Sequence, residues 1–319
     1  MERTLVAFTT LLLSAGVAHA SHPQQAVRPE GQAAPREFVT TQPRNLAGSM
    51  ERVFARQVLP PQPLAPARAA TRLIYLNRDG VVMWPGAAND ASSQTSSIVS
   101  QPTTIGAWDV DDQMWSDTVE CVREIYRPFD VTVTDQDPGD QPHLEAHFGG
   151  SPIDVGLPEN VAGVSPFTQD CSIIENSIVF TFTDVMPDDA RTMCEVMAQE
   201  IAHSYGLDHE MLASDPMTYL DYTGDRTFKN QAAPCGEYGN RLCGINGNMC
   251  RNTQNSVALL TERLGPASGT TPTPPATQDP QSTGESHIEG GGCAATGGRS
   301  SLALGLAALA FLRRRRSRA

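Results

Sequence analysis

The sequence predicts an α/β domain with a mainly parallel sheet over residues 71–264. Short β-branched or apolar runs are interleaved with stretches whose apolar residues recur at steps of three and four, and the order strand, helix, strands, helix is that of a layered α/β fold. The two flanking segments differ sharply in composition from the part between them. That part, about 190 residues of a 319-residue chain, is long enough for one sizeable core.

Each element has a local justification. Residues 73–76 read as a strand, Asn77-Arg78-Asp79-Gly80 as a turn, and residues 81–84 as a second extended run. Trp115, Val119, Val122, Tyr126 and Phe129 then repeat at helical spacing. Residues 131–134 alternate and are β-branched, which predicts a strand. Residues 143–148 and 177–183 predict two more, the second apolar enough to be central. Asp188 and Asp189 follow Pro187 and open a helix whose apolar face is Ala190, Met193, Cys194, Met197 and Ile201. Residues 257–264 predict a last helix.

The flanks read as targeting and connecting segments. Residues 1–20 carry a charged start, an apolar run and Ala18-His19-Ala20, the pattern of a removable secretory signal. Residues 21–70 are rich in Pro, Gln, Ala and Arg and are expected to be a disordered leader or pro-segment. Residues 265–292 form a Pro/Thr/Ser/Gly-rich stalk. In residues 293–319, Cys293 follows three glycines and precedes an apolar stretch that ends in Arg313-Arg314-Arg315-Arg316. This tail resembles the MYXO-CTERM sorting tail. The resemblance implies transient or processed membrane attachment and a secreted or cell-surface protein, with a plain membrane anchor as the alternative.

Charge and cysteines narrow the class. The formal net charge is −13, and removing the tail deletes six arginines and no acid, which takes it to −19. Such a surface excludes nucleic acid as a partner. Of seven cysteines, six remain when Cys293 is assigned to the tail. In an exported chain that number predicts three disulfides of unspecified pairing.

The chemistry lies in Gln199-Glu200-Ile201-Ala202-His203-Ser204-Tyr205-Gly206-Leu207-Asp208-His209. On a helix Gln199 and His203 share a face with Glu200 beside them, Gly206 ends the helix, and the returning chain brings His209 toward His203. Three donors and a carboxylate then converge. The run resembles the metzincin signature H-E-x-x-H-x-x-G-x-x-H, and Asp215-Pro216-Met217-Thr218-Tyr219 resembles the Met-turn that follows it.

That resemblance implies a twisted, mostly parallel five-stranded sheet with an active-site helix, a Met-turn and a C-terminal helix. It implies Zn2+ held by Gln199, His203 and His209, Glu200 as general base, Met217 as the apolar floor and Tyr219 as a donor near the metal. The protein would be a monomeric metalloendopeptidase acting on a protein or peptide substrate. A catalytically inactive surface binding protein on the same scaffold is the alternative. Gln199 stands where the family has His, so three arrangements stay open: ligation by the amide oxygen, two histidines plus another group, or no metal. His143, Glu145 and His147 lie on one face of a strand and form a lesser candidate cluster.

Overall fold

The computed structural model describes residues 37–40, 53–59, 71–245 and 249–268. The signal and sorting-tail expectations fall outside these residues, as does the stalk beyond residue 268. The first stalk residues instead lie against the domain, with Asp130 N donating to Gly265 O and Ala267 N to Pro128 O, both at 2.9 Å. Among the described residues no helix is long and apolar enough to cross a membrane.

In chain order the elements are β1 (Glu37–Thr40), β2 (Val53–Leu59), β3 (Leu73–Asn77), β4 (Val81–Pro85), β5 (Thr95–Ser96), β6 (Thr103–Ile105) and α1 (Asp112–Tyr126). Then follow β7 (Thr132–Thr134), β8 (Leu144–Phe148), β9 (Val161–Thr168), β10 (Ile178–Thr181), α2 (Ala190–Ser204), β11 (Ala233–Pro234), β12 (Thr253–Gln254) and α3 (Ser256–Leu264).

The main sheet has the order β1-β2-β9-β10-β8-β3-β7. Residues 71–264 supply five of its strands, β9-β10-β8-β3-β7, and only β9–β10 is antiparallel among them. The expected α/β class with a mostly parallel sheet is therefore present. Strand β10 is central, as its unbroken apolar run predicts, and all four of its residues are buried.

Three features depart from expectation. Residues 21–70, expected to be disordered, contribute β1 and β2, and β2 pairs in parallel with β9 along its whole length. Strand β9 itself has no counterpart in the sequence reading, because Gly163 and Pro166 interrupt it as breakers would. Strand β4 does not extend the main sheet after the 77–80 turn. It pairs with β5 and β6 in a separate three-stranded sheet.

The helices pack on one face. Helix α1 lies against α2, and α2 lies against β8, β9 and β10. Trp115, Val119, Val122, Tyr126, Met193 and Met197 are among the buried side chains of this layer. A disulfide Cys121–Cys194 ties the two helices, and Tyr126 Oη donates to Ala198 O at 2.8 Å. Cys171–Cys250 and Cys235–Cys243 complete three bridges, as the six-cysteine count predicts. The first two close loops of 73 and 79 residues, worth roughly 4 kcal/mol each in chain-entropy terms. The other face of the sheet packs Ile178 and Phe180 against Met83, Ile98 and Ile105.

Candidate metal centre

Helix α2 begins where the acids predict. Asp189 is the N-cap and accepts from Thr192 N at 2.7 Å. Every residue from Val196 to Ser204 is buried, including Gln199, Glu200 and His203. The helix ends in a Schellman arrangement: Leu207 N donates to Ala202 O at 3.0 Å and Gly206 N to His203 O at 2.8 Å. Gly206 has φ 75°, and a Cβ there would lie 2.2 Å from Cys171 O. Only glycine fits.

This ending fixes His203. Its Nδ1 lies 2.7 Å from Leu207 O. A carbonyl oxygen only accepts, so Nδ1 carries a proton. His209 is held the same way from the other side. Its Nδ1 lies 3.0 Å from Glu237 Oε1, and the carboxylate fixes the proton on Nδ1. The two Nε2 atoms are 3.1 Å apart and both rings are buried. At that spacing the rings share an N–H···N hydrogen bond when one Nε2 carries a proton, and when neither does they present two donors to one cation. Across a tetrahedral zinc with bonds of ~2.0–2.1 Å, ligand nitrogens stand ~3.3–3.4 Å apart, close to the spacing here.

Glu237 was not legible in the sequence. It stands 28 residues beyond His209 and arrives through a loop stapled by Cys235–Cys243. Backbone bonds align that loop with the histidine: Gly236 N donates to His209 O at 3.0 Å and Met211 N to Pro234 O at 2.8 Å.

Asp208, His209 and Glu237 also bring one ligand atom each within 4.8 Å of one another, a grouping that could hold a metal ion. A cation is already there. Arg241 pairs with Asp208 at 2.5 Å and with Glu237 at 2.6 Å. Burial works against the guanidinium charge, but Asp208 and Glu237 outweigh it and raise its pKa. We therefore read Asp208 and Glu237 as supports for the Nε2 pair, with Arg241 balancing their charge.

The remaining expected residues gather around the same helix. Glu200 is fully buried, and a Cβ on Gly163 would come within 2.6 Å of its Oε1, so its carboxylate packs directly on the β9 backbone. Gln199 is 2% exposed and its amide nitrogen has no hydrogen-bond partner. It lines a cavity of about 220 Å³ together with Ala162, Met186, Val196, Tyr219 and Leu220. Tyr219 packs on His209 with ring centroids 4.3 Å apart.

Met217 is fully buried in the main core, and its carbonyl accepts from Glu210 N at 2.7 Å, which closes the 210–217 loop. Asp215 accepts from Met217 N and Lys229 N. Burial and the neighbouring Asp215 hold the Glu210 pKa well above the usual carboxylate range, and burial raises that of Asp215. A larger depression of about 340 Å³ beside the C-terminal end of α1 includes none of these residues.

The lesser cluster is built differently. Glu145 accepts from Asn77 Nδ2 at 3.0 Å and Gln94 Nε2 at 2.6 Å. His147 Nε2 lies 3.3 Å from its Oε1 and His143 Nε2 3.8 Å from its Oε2. The carboxylate sits between the imidazoles, and the three do not form a metal-sized group among the described residues.

Comparison of the whole chain with protein-family models and with curated proteins gives no match, so the geometry of the site carries the functional reading.

Proposed function

We propose that this chain is an exported zinc metalloendopeptidase of the metzincin kind, with His203 and His209 as zinc ligands and Gln199 as the third. The observation that carries the reading is the meeting of the two buried Nε2 atoms at 3.1 Å, each ring held through its Nδ1. Gln199 sits one turn before His203, and exchanging the ends of its amide puts an oxygen where the unpartnered nitrogen stands. Zinc in such a site supplies a water with its pKa lowered toward about 7 and polarises the scissile carbonyl.

Glu200, fixed against β9, would take a proton from that water and pass it to the leaving amine. The Tyr219 hydroxyl would donate to the developing oxyanion, worth about 2.7–4 kcal/mol in comparable donors. The cavity beside Gln199 would receive a substrate side chain. Three disulfides among the described residues suit an oxidising, extracytoplasmic location.

A non-catalytic metal-holding module is the second reading, favoured by the weak amide donor at position 199. Elemental analysis of the purified protein, paired with cleavage of unfolded casein, separates the two. The peptidase reading expects about one zinc per chain and chelator-sensitive cleavage that Glu200→Ala abolishes. Zinc without cleavage supports the module, and absence of zinc sinks both.

A further inference from the structure

We propose that Arg251 and Arg263 form a binding site for a small inorganic anion such as chloride, set behind the turn at Gly206. Arg251 follows Cys250, and Arg263 lies in the last turn of α3. The Cys171–Cys250 bridge gathers these segments beside the end of α2. There Arg263 Nη2 donates to Cys171 O at 2.8 Å, and Arg251 Nη2 donates to Gly206 O at 2.8 Å and to Gln254 Oε1 at 2.6 Å. Both guanidiniums converge on Gly206: a Cβ there would lie 2.1 Å from Arg263 Nη1, while Arg251 holds the carbonyl of the same residue.

Each arginine keeps a buried donor that nothing accepts. Arg251 Nε and Arg263 Nη1 have no hydrogen-bond partner. The acceptors of both side chains are neutral oxygens, and among the described residues neither guanidinium forms an ion pair. Other half-buried arginines do: Arg226 pairs with Glu195, and Arg241 with Asp208 and Glu237. The nearby acids are taken or turned outward, since Asp208 is held by Arg241 and Asp170 and Glu262 are exposed. Burial lowers both arginine pKa values to about 10, and the charge of Arg251 adds to the depression at Arg263.

Two like charges in a poorly hydrated place repel, and an unmet donor on a charged group is costly. One anion accepting from Arg251 Nε and Arg263 Nη1 removes both penalties. Buried donors admit a small ion and exclude a bulky one. Because Arg251 holds Gly206 O, the bound ion would also brace the turn between His203 and His209.

The test uses the full chain with its disulfides intact. Chloride binding is read from the chloride NMR linewidth, and thermal unfolding is compared in sodium chloride and sodium gluconate at equal ionic strength. The site expects saturable broadening and a higher unfolding midpoint in chloride, because a ligand of the folded state stabilises it. The net charge of −13 keeps non-specific chloride binding low. Arg263→Gln should weaken binding by about tenfold or more, the scale of one lost charge-assisted hydrogen bond. Arg127→Gln, at an exposed position, should leave it unchanged.

No broadening by the unaltered chain, equal midpoints in the two salts, or undiminished binding by Arg263→Gln overturns the site. If Arg263→Gln does not fold, crystals of the unaltered chain grown in bromide decide. An anomalous peak touching Arg251 Nε and Arg263 Nη1 supports the site, and none there means that water satisfies these donors. Neither zinc nor casein cleavage enters these readouts, so this proposal and the peptidase reading fail separately.

Discussion

Two buried clusters in this protein use the same residue types, and they are built in opposite ways. Around α2, the carboxylate of Glu237 and the carbonyl of Leu207 grip the outer nitrogens of His209 and His203, so the inner nitrogens face each other at 3.1 Å. On β8, the carboxylate of Glu145 lies between His143 and His147 and satisfies itself on Asn77 and Gln94. The first arrangement turns the two Nε2 atoms toward each other, at a spacing that suits two ligands of one cation. The second supplies its own countercharge. What makes a candidate metal centre is the side from which the imidazoles are held.

The comparison breaks most sharply on metal content. His203→Ala or His209→Ala should take bound zinc from about one per chain to none, whereas His143→Ala and His147→Ala should leave it unchanged by elemental analysis. Zinc lost from the β8 variants instead would reverse the assignment.

A second test moves Glu200, the proposed general base, without touching a proposed zinc ligand. Gly163→Ala puts a methyl against Glu200 Oε1, and casein cleavage should fall about 100-fold, the scale of a 1 Å displacement in a catalytic group. Zinc content should hold. Unaltered cleavage would mean that Glu200 is not fixed by β9.

Glu237→Gln weakens the grip on His209 and should lower zinc affinity by about 10- to 100-fold in a chelator competition. The matched Glu145→Gln change should not alter that affinity.

The β8 cluster should show itself in pH instead. Burial draws His143 down, but hydrogen bonds to Glu145 and the Gln141 carbonyl outweigh it and raise its pKa above the ordinary 6.5. Burial raises Glu145, but His147, His143, Asn77 and Gln94 outweigh it and hold it below 4.5. The His143 contribution is complete below pH 6.5 and is lost as pH rises through the raised value. The Glu145 contribution is complete above pH 4.5 and is lost as pH falls through the lowered value. The His143 and Glu145 contributions are both complete between pH 4.5 and 6.5. His147, whose pKa burial draws below 6.5, opposes them as pH falls below 6.5. Glu145→Gln should reduce the first two, as read by denaturant unfolding across that range.

The smallest effect is at the start of α2. Asp189→Ala should cost about 1 kcal/mol of stability as a lost N-cap. Hydrogen bonds from Thr192 lower the Asp189 pKa below 3.8, so its contribution is present above that pH and fades in acid.

Much of this architecture was legible locally. The extended runs at β3, β7, β8 and β10, the helical repeat of α1 and the acidic start of α2 all follow from periodicity over a few residues. So does the turn at Gly206, because a positive φ beside a packed carbonyl admits one residue type. The approach of His203 to His209 follows from helix spacing plus that turn.

Contacts between distant parts of the chain were not legible, because side-chain type at one position says little about what folds against it. Strand β9 hides behind Gly163 and Pro166, yet its glycine is what admits Glu200. Strand β2 lies in a stretch that reads as a leader, and only pairing with β9 makes it a strand. Cysteine count implied three bridges, but the partners were chosen by the approach of α1 to α2 and by the folding back of the 235–250 segment. That same folding delivers Glu237 to His209. The sequence alone determined the helix, the turn and the donor spacing. Tertiary structure decided which nitrogen of each imidazole is tied down, and thus which two nitrogens meet.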